Sequence, residues 1–247
     1  MSERYEKFHS EQHSPVDKII RETYFQDYDY KGSFVDVGAA DPIEINDSWH
    51  FEKNGWDVLC IEPNPKYVKK LKQVRANVIQ GVVSSQPRKW LDFKVMTRDG
   101  DNAMSLSSIA PSQAYLDVHK TYKFEEETIR VRNAPLWLIM ENFQEKVGFY
   151  SGELDVLKID VEGWELDVLD SLDLSVHKPR LIILENLLHE PKYEEYMARF
   201  GYKISRKAAY NYFFVRSRHH EEGVHPGLHD ALGKHGTDEK AELPSKD

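Results

Sequence analysis

The chain has 247 residues, with 33 lysines and arginines against 42 aspartates and glutamates, and its formal net charge of −9 disfavours a polyphosphate partner such as nucleic acid. That length suits one α/β domain with some appended material, and no apolar run approaches the roughly 18 residues a membrane-spanning helix needs. The opening "MSERYEKFHSEQHSPVD" is too polar for a signal peptide, so a cytoplasmic protein is expected, and the single cysteine, Cys60, excludes both an internal disulfide framework and a thiolate metal cluster.

Val16, Ile19, Ile20, Tyr24 and Phe25 fall at i, i+3, i+4, i+8 and i+9, which predicts one amphipathic helix. It belongs to an N-terminal helical cap over residues 1–31, expected to cover a sheet edge or the mouth of a site. From Ser33 the runs "SFVDVG", "DVLCIE", "NVIQGVVS", "LDVLKID" and "RLIILEN" alternate with helical patterns, as in a parallel, doubly wound α/β sheet. Four of them consist largely of Val, Ile and Leu, as strands covered on both faces do. In "KYVKKLKQVR", Lys66 to Arg75, the apolar residues keep helical spacing and the bases read as a solvated outer face. Between the third and fourth runs come a strand-like "WLDFKVM", a polar segment from Thr97 to about Thr128, and a helix beginning at Pro135 with Leu136, Ile139, Met140 and Phe143 as its stripe. After Asn186 a helix closed by Gly201 leads into two strands around "AAYN", an antiparallel hairpin at one sheet edge. The folded domain is expected over 1–217. The remainder, 218–247, is dense in Gly, Pro, His and charge and is expected to be a disordered polar tail.

The stretch "SFVDVGAADP" places a small-residue turn, Gly38, Ala39 and Ala40, after the first strand, where doubly wound sheets bind nucleotide cofactors. These small side chains would let a ligand lie against the backbone. A dinucleotide site wants G-x-G-x-x-G, whereas "GAADPI" lacks two of the three glycines and carries Asp41, which would repel a diphosphate; NAD and ATP fit poorly. A cofactor with an amine and a sulfonium cation, S-adenosylmethionine, would welcome the flanking carboxylates. Glu62 ends the second run, 26 residues after Asp36, the position of an acid that accepts hydrogen bonds from ribose hydroxyls. "LKIDVEGWE" puts Asp160 and Glu162 at the end of a central strand. One could hold the cofactor amine or position the acceptor and the other could act as general base, although Glu162 would also suit the N-terminus of the following helix. "LENLLHE" supplies Glu185, Asn186 and His189, the last a second-choice base. Asp160, Glu162, Glu185 and His189 are spaced in no way that demands a metal, so none is assigned. Tyr115, His119 and Tyr122 could stack on an acceptor or simply pack a lid.

In combination, "FVDVGAADP", "FEKNGWDVLCIEPNPKYVKKL", "NVIQGVVSS" and "LKIDVEGWELDVL" resemble the FkbM-type S-adenosylmethionine-dependent methyltransferases. The resemblance implies a class I methyltransferase, Rossmann-like fold of seven strands with the last antiparallel. It also implies methyl transfer to an oxygen, often a hydroxyl of a sugar, glycan or other small molecule. Carried over by motif, Asp36, Gly38 and Ala39 would line the methionine part, with Ala40, Asp41, Ser48 and Pro63 as further contacts. Glu62 would bind ribose, Gly81, Val82 and Val83 would pass the adenine, and Asp160 with Glu162 would face the methyl group. Pro42 stands where similar chains tend to carry Gly, which leaves the path through Asn46 and Ser48 open. Nucleic acid is not an expected acceptor, and a homo-oligomer is compatible with this picture. Two other readings compete: a non-catalytic binding module that keeps the fold, opposed by the intact acids, and an NAD-dependent oxidoreductase, opposed by "GAADPI".

Overall fold

A computed structural model of the chain describes residues 4–98, 107–109, 113–118, 124–147 and 154–216. The expected tail at 218–247, and His119 and Tyr122, lie outside these residues. In chain order, α1 (Val16–Ile19) runs into a wider π-type turn (Ile20–Tyr24), followed by β1 (Ser33–Val37), α2 (Trp49–Lys53), β2 (Asp57–Glu62), α3 (Pro65–Val74) and β3 (Val78–Gln80). Next come β4 (Val82–Val83), β5 (Trp90–Arg98), α4 (Gln113–Val118), which contains Tyr115, β6 (Phe124–Ala134) and α5 (Leu136–Val147). The chain then returns through β7 (Val156–Ile159), α6 (Glu165–Asp170), β8 (Leu181–Glu185), α7 (Lys192–Ala198), β9 (Tyr202–Ala208) and β10 (Asn211–Arg216). No helix among the described residues is long and apolar enough to cross a membrane.

The main sheet has seven strands in the order β3-β2-β1-β7-β8-β10-β9. Its pairs are parallel except around β10, which runs antiparallel to both β8 and β9. Alternate side chains go to opposite faces. Phe34, Val58, Val156, Leu181, Ile183 and Phe213 pack with Val16, Ile19, Ile20 and Phe25 of the N-terminal helix and with Phe51 and Trp56. On the other face Val35, Leu59, Leu157 and Ile182 meet Leu136, Ile139 and Met140 of α5 and Val168 and Leu169 of α6. The N-terminal helix therefore covers a face of the sheet, where an edge was one of two expectations. A buried cation fixes it there: Arg21, only 1% exposed, donates to the Phe25 and Asp27 carbonyls and to His50 Nε2, and its guanidinium lies 4.3 Å from the Tyr28 ring centre. Burial pushes His50 down to about 4, which keeps it a neutral acceptor for that bond.

Two expectations need correction. "NVIQGVVS" is divided at Gly81, with β3 in the main sheet and β4 in a second sheet of order β4-β6-β5. And the polar segment after Thr97 ends in β6, whose "FEEETIRVRNA" pairs antiparallel along the whole of β5, from Trp90 opposite Arg132 to Arg98 opposite Phe124. The acids of β6 point to solvent, whereas Ile129 and Val131 join Val82, Leu91, Phe93 and Val95 in a separate small core. A half-exposed hairpin needs apolar residues only on alternate positions.

Candidate functional site

The carboxyl ends of β2, β1 and β7 open into a cleft of about 710 Å3. Period-two alternation builds its floor. Phe34, Val58, Val156 and Ile183 lie in the apolar layer beneath the N-terminal helix, and two residues further along each strand the same face carries Asp36, Cys60, Lys158 and Glu185. One more step along β2 gives Glu62, and one more beyond Lys158 gives Asp160.

Glu62 is 5% exposed, and both of its oxygens are fixed: Oε2 accepts from Ala40 N at 3.0 Å and Oε1 from Asn64 N at 2.8 Å. "EPNPK" accounts for the second bond, because Asn64 caps α3 by accepting from Lys66 N at 3.0 Å and Pro65 opens the helix. Ala40 reaches Glu62 by adopting a left-handed φ of 49°. Burial pushes the Glu62 carboxyl up to about 7, the two amides pull the other way, and Asp36 and Asp160 add to the rise. Asp36 is 1% exposed; its Oδ2 accepts from Ser48 Oγ at 2.6 Å, and its Oδ1 is buried with no hydrogen-bond partner among the described residues.

Sequence reasoning missed Lys158. Its buried ammonium lies 3.1 Å from Asp160 Oδ2 and 3.1 Å from Asp47 Oδ2. Burial pulls this ammonium down, but Asp160, Asp47 and Asp36 more than reverse the effect and hold it charged. The other Asp47 oxygen accepts from Ser10 Oγ at 2.6 Å, and burial, opposed by Lys158 and Ser10, pushes Asp47 up to about 6. A lysine inside the apolar run "LDVLKID" was the available signal, since a strand covered on both faces buries such a charge only beside partners.

The other predicted residues divide between the cleft and its supports. Gly38, Ala39, Ala40, Asp41, Pro63, Gly81, Val82, Val83, Asp160 and Glu162 line the cleft, together with Phe93 of the small sheet and Glu11, His13 and Ser14 of the N-terminal segment. Gly38 needs to be glycine for a reason other than a ligand: its φ is 87°, and a Cβ there would sit 1.8 Å from the Asp160 carbonyl oxygen. Asp41 is a turn former, accepting from Ile43 N and Glu44 N and pairing with Lys70 Nζ at 2.9 Å. Burial opposes its ionisation, yet these partners hold it below the usual carboxylate range.

Ser48 lies behind Asp36 and does not line the cleft, so the expected direct cofactor contact becomes a support. Arg75 donates to Ser48 Oγ at 2.8 Å, to Asn46 Oδ1 and the Pro42 carbonyl at 3.1 Å each, and pairs with Glu52. That completely buried guanidinium corrects the reading of Lys66 to Arg75 as wholly solvated; it closes α3 and clamps the loop after β1 from below. Glu162 has a left-handed φ of 62° and lies ahead of α6. The cap-like role falls instead to Glu165, which accepts from Val161 N and Gly163 N and from Tyr193 OH at 2.6 Å. His189 does not line the cleft; its Nδ1 lies 2.9 Å from Tyr212 OH, which removes it from the place a base would need. Among the described residues no group of three or more His, Cys, Asp or Glu side chains is arranged to hold a metal ion.

Among the described residues the cleft thus gathers Asp36, Asp47 and Asp160 about the buried Lys158, with Glu62 at the end of β2 and Lys70 taken up by Asp41, an acidic floor suited to a cationic ligand. No curated protein and no solved structure matches the chain. A model of the methyltransferase FkbM domain matches residues 36–212, from the acid of β1 to the last strand of the sheet. The chain belongs to the FkbM methyltransferase family.

Proposed function

We propose that the protein binds S-adenosylmethionine and transfers its methyl group to a hydroxyl oxygen of a small molecule, sugar or glycan. The observation that carries this reading is the Glu62 carboxylate, oriented by two backbone amides one strand away from Asp36 Oδ1, which has no hydrogen-bond partner among the described residues. A carboxylate is an acceptor with about four lone-pair sites, so Glu62 has capacity left for the two hydroxyls of a ribose. Asp36 Oδ1 suits an ammonium group, and Val82, Val83 and Phe93 offer an apolar wall to an adenine. When bound, the cofactor supplies an electrophilic methyl group on a positively charged sulfur. Asp160, anchored by Lys158, adds negative charge beside that position. Glu162, on the strained turn after β7, is the group assigned to take the proton that the acceptor hydroxyl releases. Most of the rate then comes from holding acceptor and methyl in line.

Calorimetric titration with S-adenosylmethionine, S-adenosylhomocysteine and NAD tests the cofactor. Binding of the first two and not of NAD supports the reading, and binding of none of them overturns it. For the chemistry, Glu162→Gln is expected to lower turnover while leaving S-adenosylhomocysteine affinity within about twofold; undiminished turnover removes Glu162 as the base.

A further inference from the structure

Asn211 opens β10 and lines the far end of the cleft. Its side-chain oxygen is buried and has no hydrogen-bond partner among the described residues, an arrangement rare enough in folded proteins to need a reason. Which atom of the amide is the oxygen follows from its neighbours. Ser14 Oγ donates its one proton to the Ala208 carbonyl at 3.0 Å, so toward Asn211, also at 3.0 Å, it can only accept. The amide nitrogen must therefore face Ser14, which leaves Oδ1 as the atom without a donor. Ser14 is itself 5% exposed and lies before the segment matched by the family model, so part of this arrangement comes from outside that domain.

The position of Asn211 in the sheet tells which ligand would meet it. Along the order β2-β1-β7-β8-β10, Asn211 stands two strands beyond β7 and four beyond β2. At about 4.8 Å per strand, that is about 10 Å from β7 and about 19 Å from β2, on the opposite side of Asp160 from Glu62. With Glu62 holding the ribose and Asp36 and Asp160 the amine and sulfonium end, the cofactor would be held by residues of β2, β1 and β7, which leaves the β8 and β10 side of the cleft to the acceptor. Asn211 shares its sheet face with Phe213, and hence with the acids of the floor, and it lies opposite Glu185, another cleft residue.

Building on the function proposed above, we propose that Asn211 is an acceptor-binding residue whose Oδ1 takes a hydrogen bond from a second donor group on the methyl acceptor, with Ser14 as its positioning residue. The favoured acceptor carries a further hydroxyl or amine beyond the oxygen that is methylated. A monohydric alcohol leaves Oδ1 unsatisfied and binds poorly. Loss of the Ser14 hydroxyl frees the amide to rotate and present its N–H groups instead.

The test uses the full chain, S-adenosylhomocysteine for binding, and labelled S-adenosylmethionine for transfer. The acceptor probes are methyl α-D-glucopyranoside, methyl α-L-fucopyranoside, the methyl glycoside of glucosamine, and cyclohexanol. Wild type is expected to methylate at least one glycoside and not cyclohexanol; preference for the glucosamine glycoside over its hydroxyl counterpart identifies the donor as an amine, and the reverse as a hydroxyl. Asn211→Leu should raise KM for that glycoside tenfold or more, changing kcat less than threefold and S-adenosylhomocysteine affinity less than twofold. Ser14→Ala should raise KM about threefold in the wild-type background and have no effect in the Asn211→Leu background, because Ser14 acts only through Asn211. An unchanged KM in Asn211→Leu, additive effects of the two substitutions, or an equal loss of S-adenosylhomocysteine binding would each overturn the assignment. Wild type that binds S-adenosylhomocysteine yet methylates cyclohexanol as well as the glycosides, or none of these probes, also overturns it. Failure to bind S-adenosylhomocysteine overturns the cofactor reading on which it rests.

Discussion

Glu62→Gln should make the protein more stable at pH 8 and less able to hold an adenosyl ligand. Folding moves the Glu62 carboxyl from the usual 4.5 to about 7, a gap that corresponds to about 3 kcal/mol. Between those two values the folded state binds more protons than the unfolded state, so this group makes stability fall as pH rises through the window; above about 7 the full cost is present. Glutamine carries no such slope. It forfeits a good bond to one of the two amides, Ala40 N or Asn64 N, at a cost of about 1–2 kcal/mol, which leaves a net gain of about 1–2 kcal/mol at pH 8. Urea titrations of both proteins at pH 5.5 and 8 should therefore show the stability difference moving by about 2 kcal/mol in favour of the variant at the higher pH. Over the same substitution, exchanging charge-assisted bonds to a diol for neutral ones should weaken S-adenosylhomocysteine binding by roughly 30- to 150-fold. A stability difference that stays constant with pH within about 0.5 kcal/mol refutes the reasoning, because Glu62 would then carry no buried charge.

Lys158→Met strands Asp47 and Asp160 without their shared cation and should cost about 3–5 kcal/mol in chemical denaturation; a loss below about 1 kcal/mol would show that water already screens the cluster. Gly38→Ala should abolish soluble expression, since its Cβ would collide with the Asp160 carbonyl oxygen. By contrast Gly55→Ala, at φ 81° with only the Lys31 side chain 3.5 Å away, should fold with a loss of about 1–2 kcal/mol measured by thermal melting. Arg75→Met should lower S-adenosylhomocysteine affinity at least tenfold in calorimetry although Arg75 does not line the cleft; unchanged affinity would mean that the loop after β1 holds its shape unaided.

Much of this was legible in the sequence for a simple geometric reason. Strands of a covered parallel sheet are apolar throughout, so an acid at the end of such a run, as in "SFVD" or "DVLCIE", marks the wet edge where a ligand can be met. Asp36, Glu62 and Asp160 were found that way and do converge. What could not be read depended on how distant segments meet. Arg75 looks like one more base of a solvated helix until the chain turns beneath the loop of Asn46 and Ser48. Ser14 and Asn211 are 197 residues apart, and nothing local to either indicates the other. Glu162 and Glu165 stand three residues apart at the entry to α6, and only the three-dimensional path decides which of them folds back onto the amides of Val161 and Gly163. Strand β6 was obscured because its outward positions are so heavily charged that its Ile129 and Val131 stand alone.

Gly81 is the single residue between the two sheets: β3 ends one position before it and β4 begins one position after it. Its N–H donates to the Glu62 carbonyl at 3.1 Å, and a Cβ would lie 3.2 Å from the Arg132 carbonyl, so both sheets press against one peptide unit. The β4-β6-β5 arm is therefore a module that leaves the main sheet at Gly81 and returns to it through α5. Its length and outward charges are free to diverge, while Val82, Val83 and Phe93 remain registered above the acids, so variants of this architecture can exchange the roof of the cleft without rebuilding its floor.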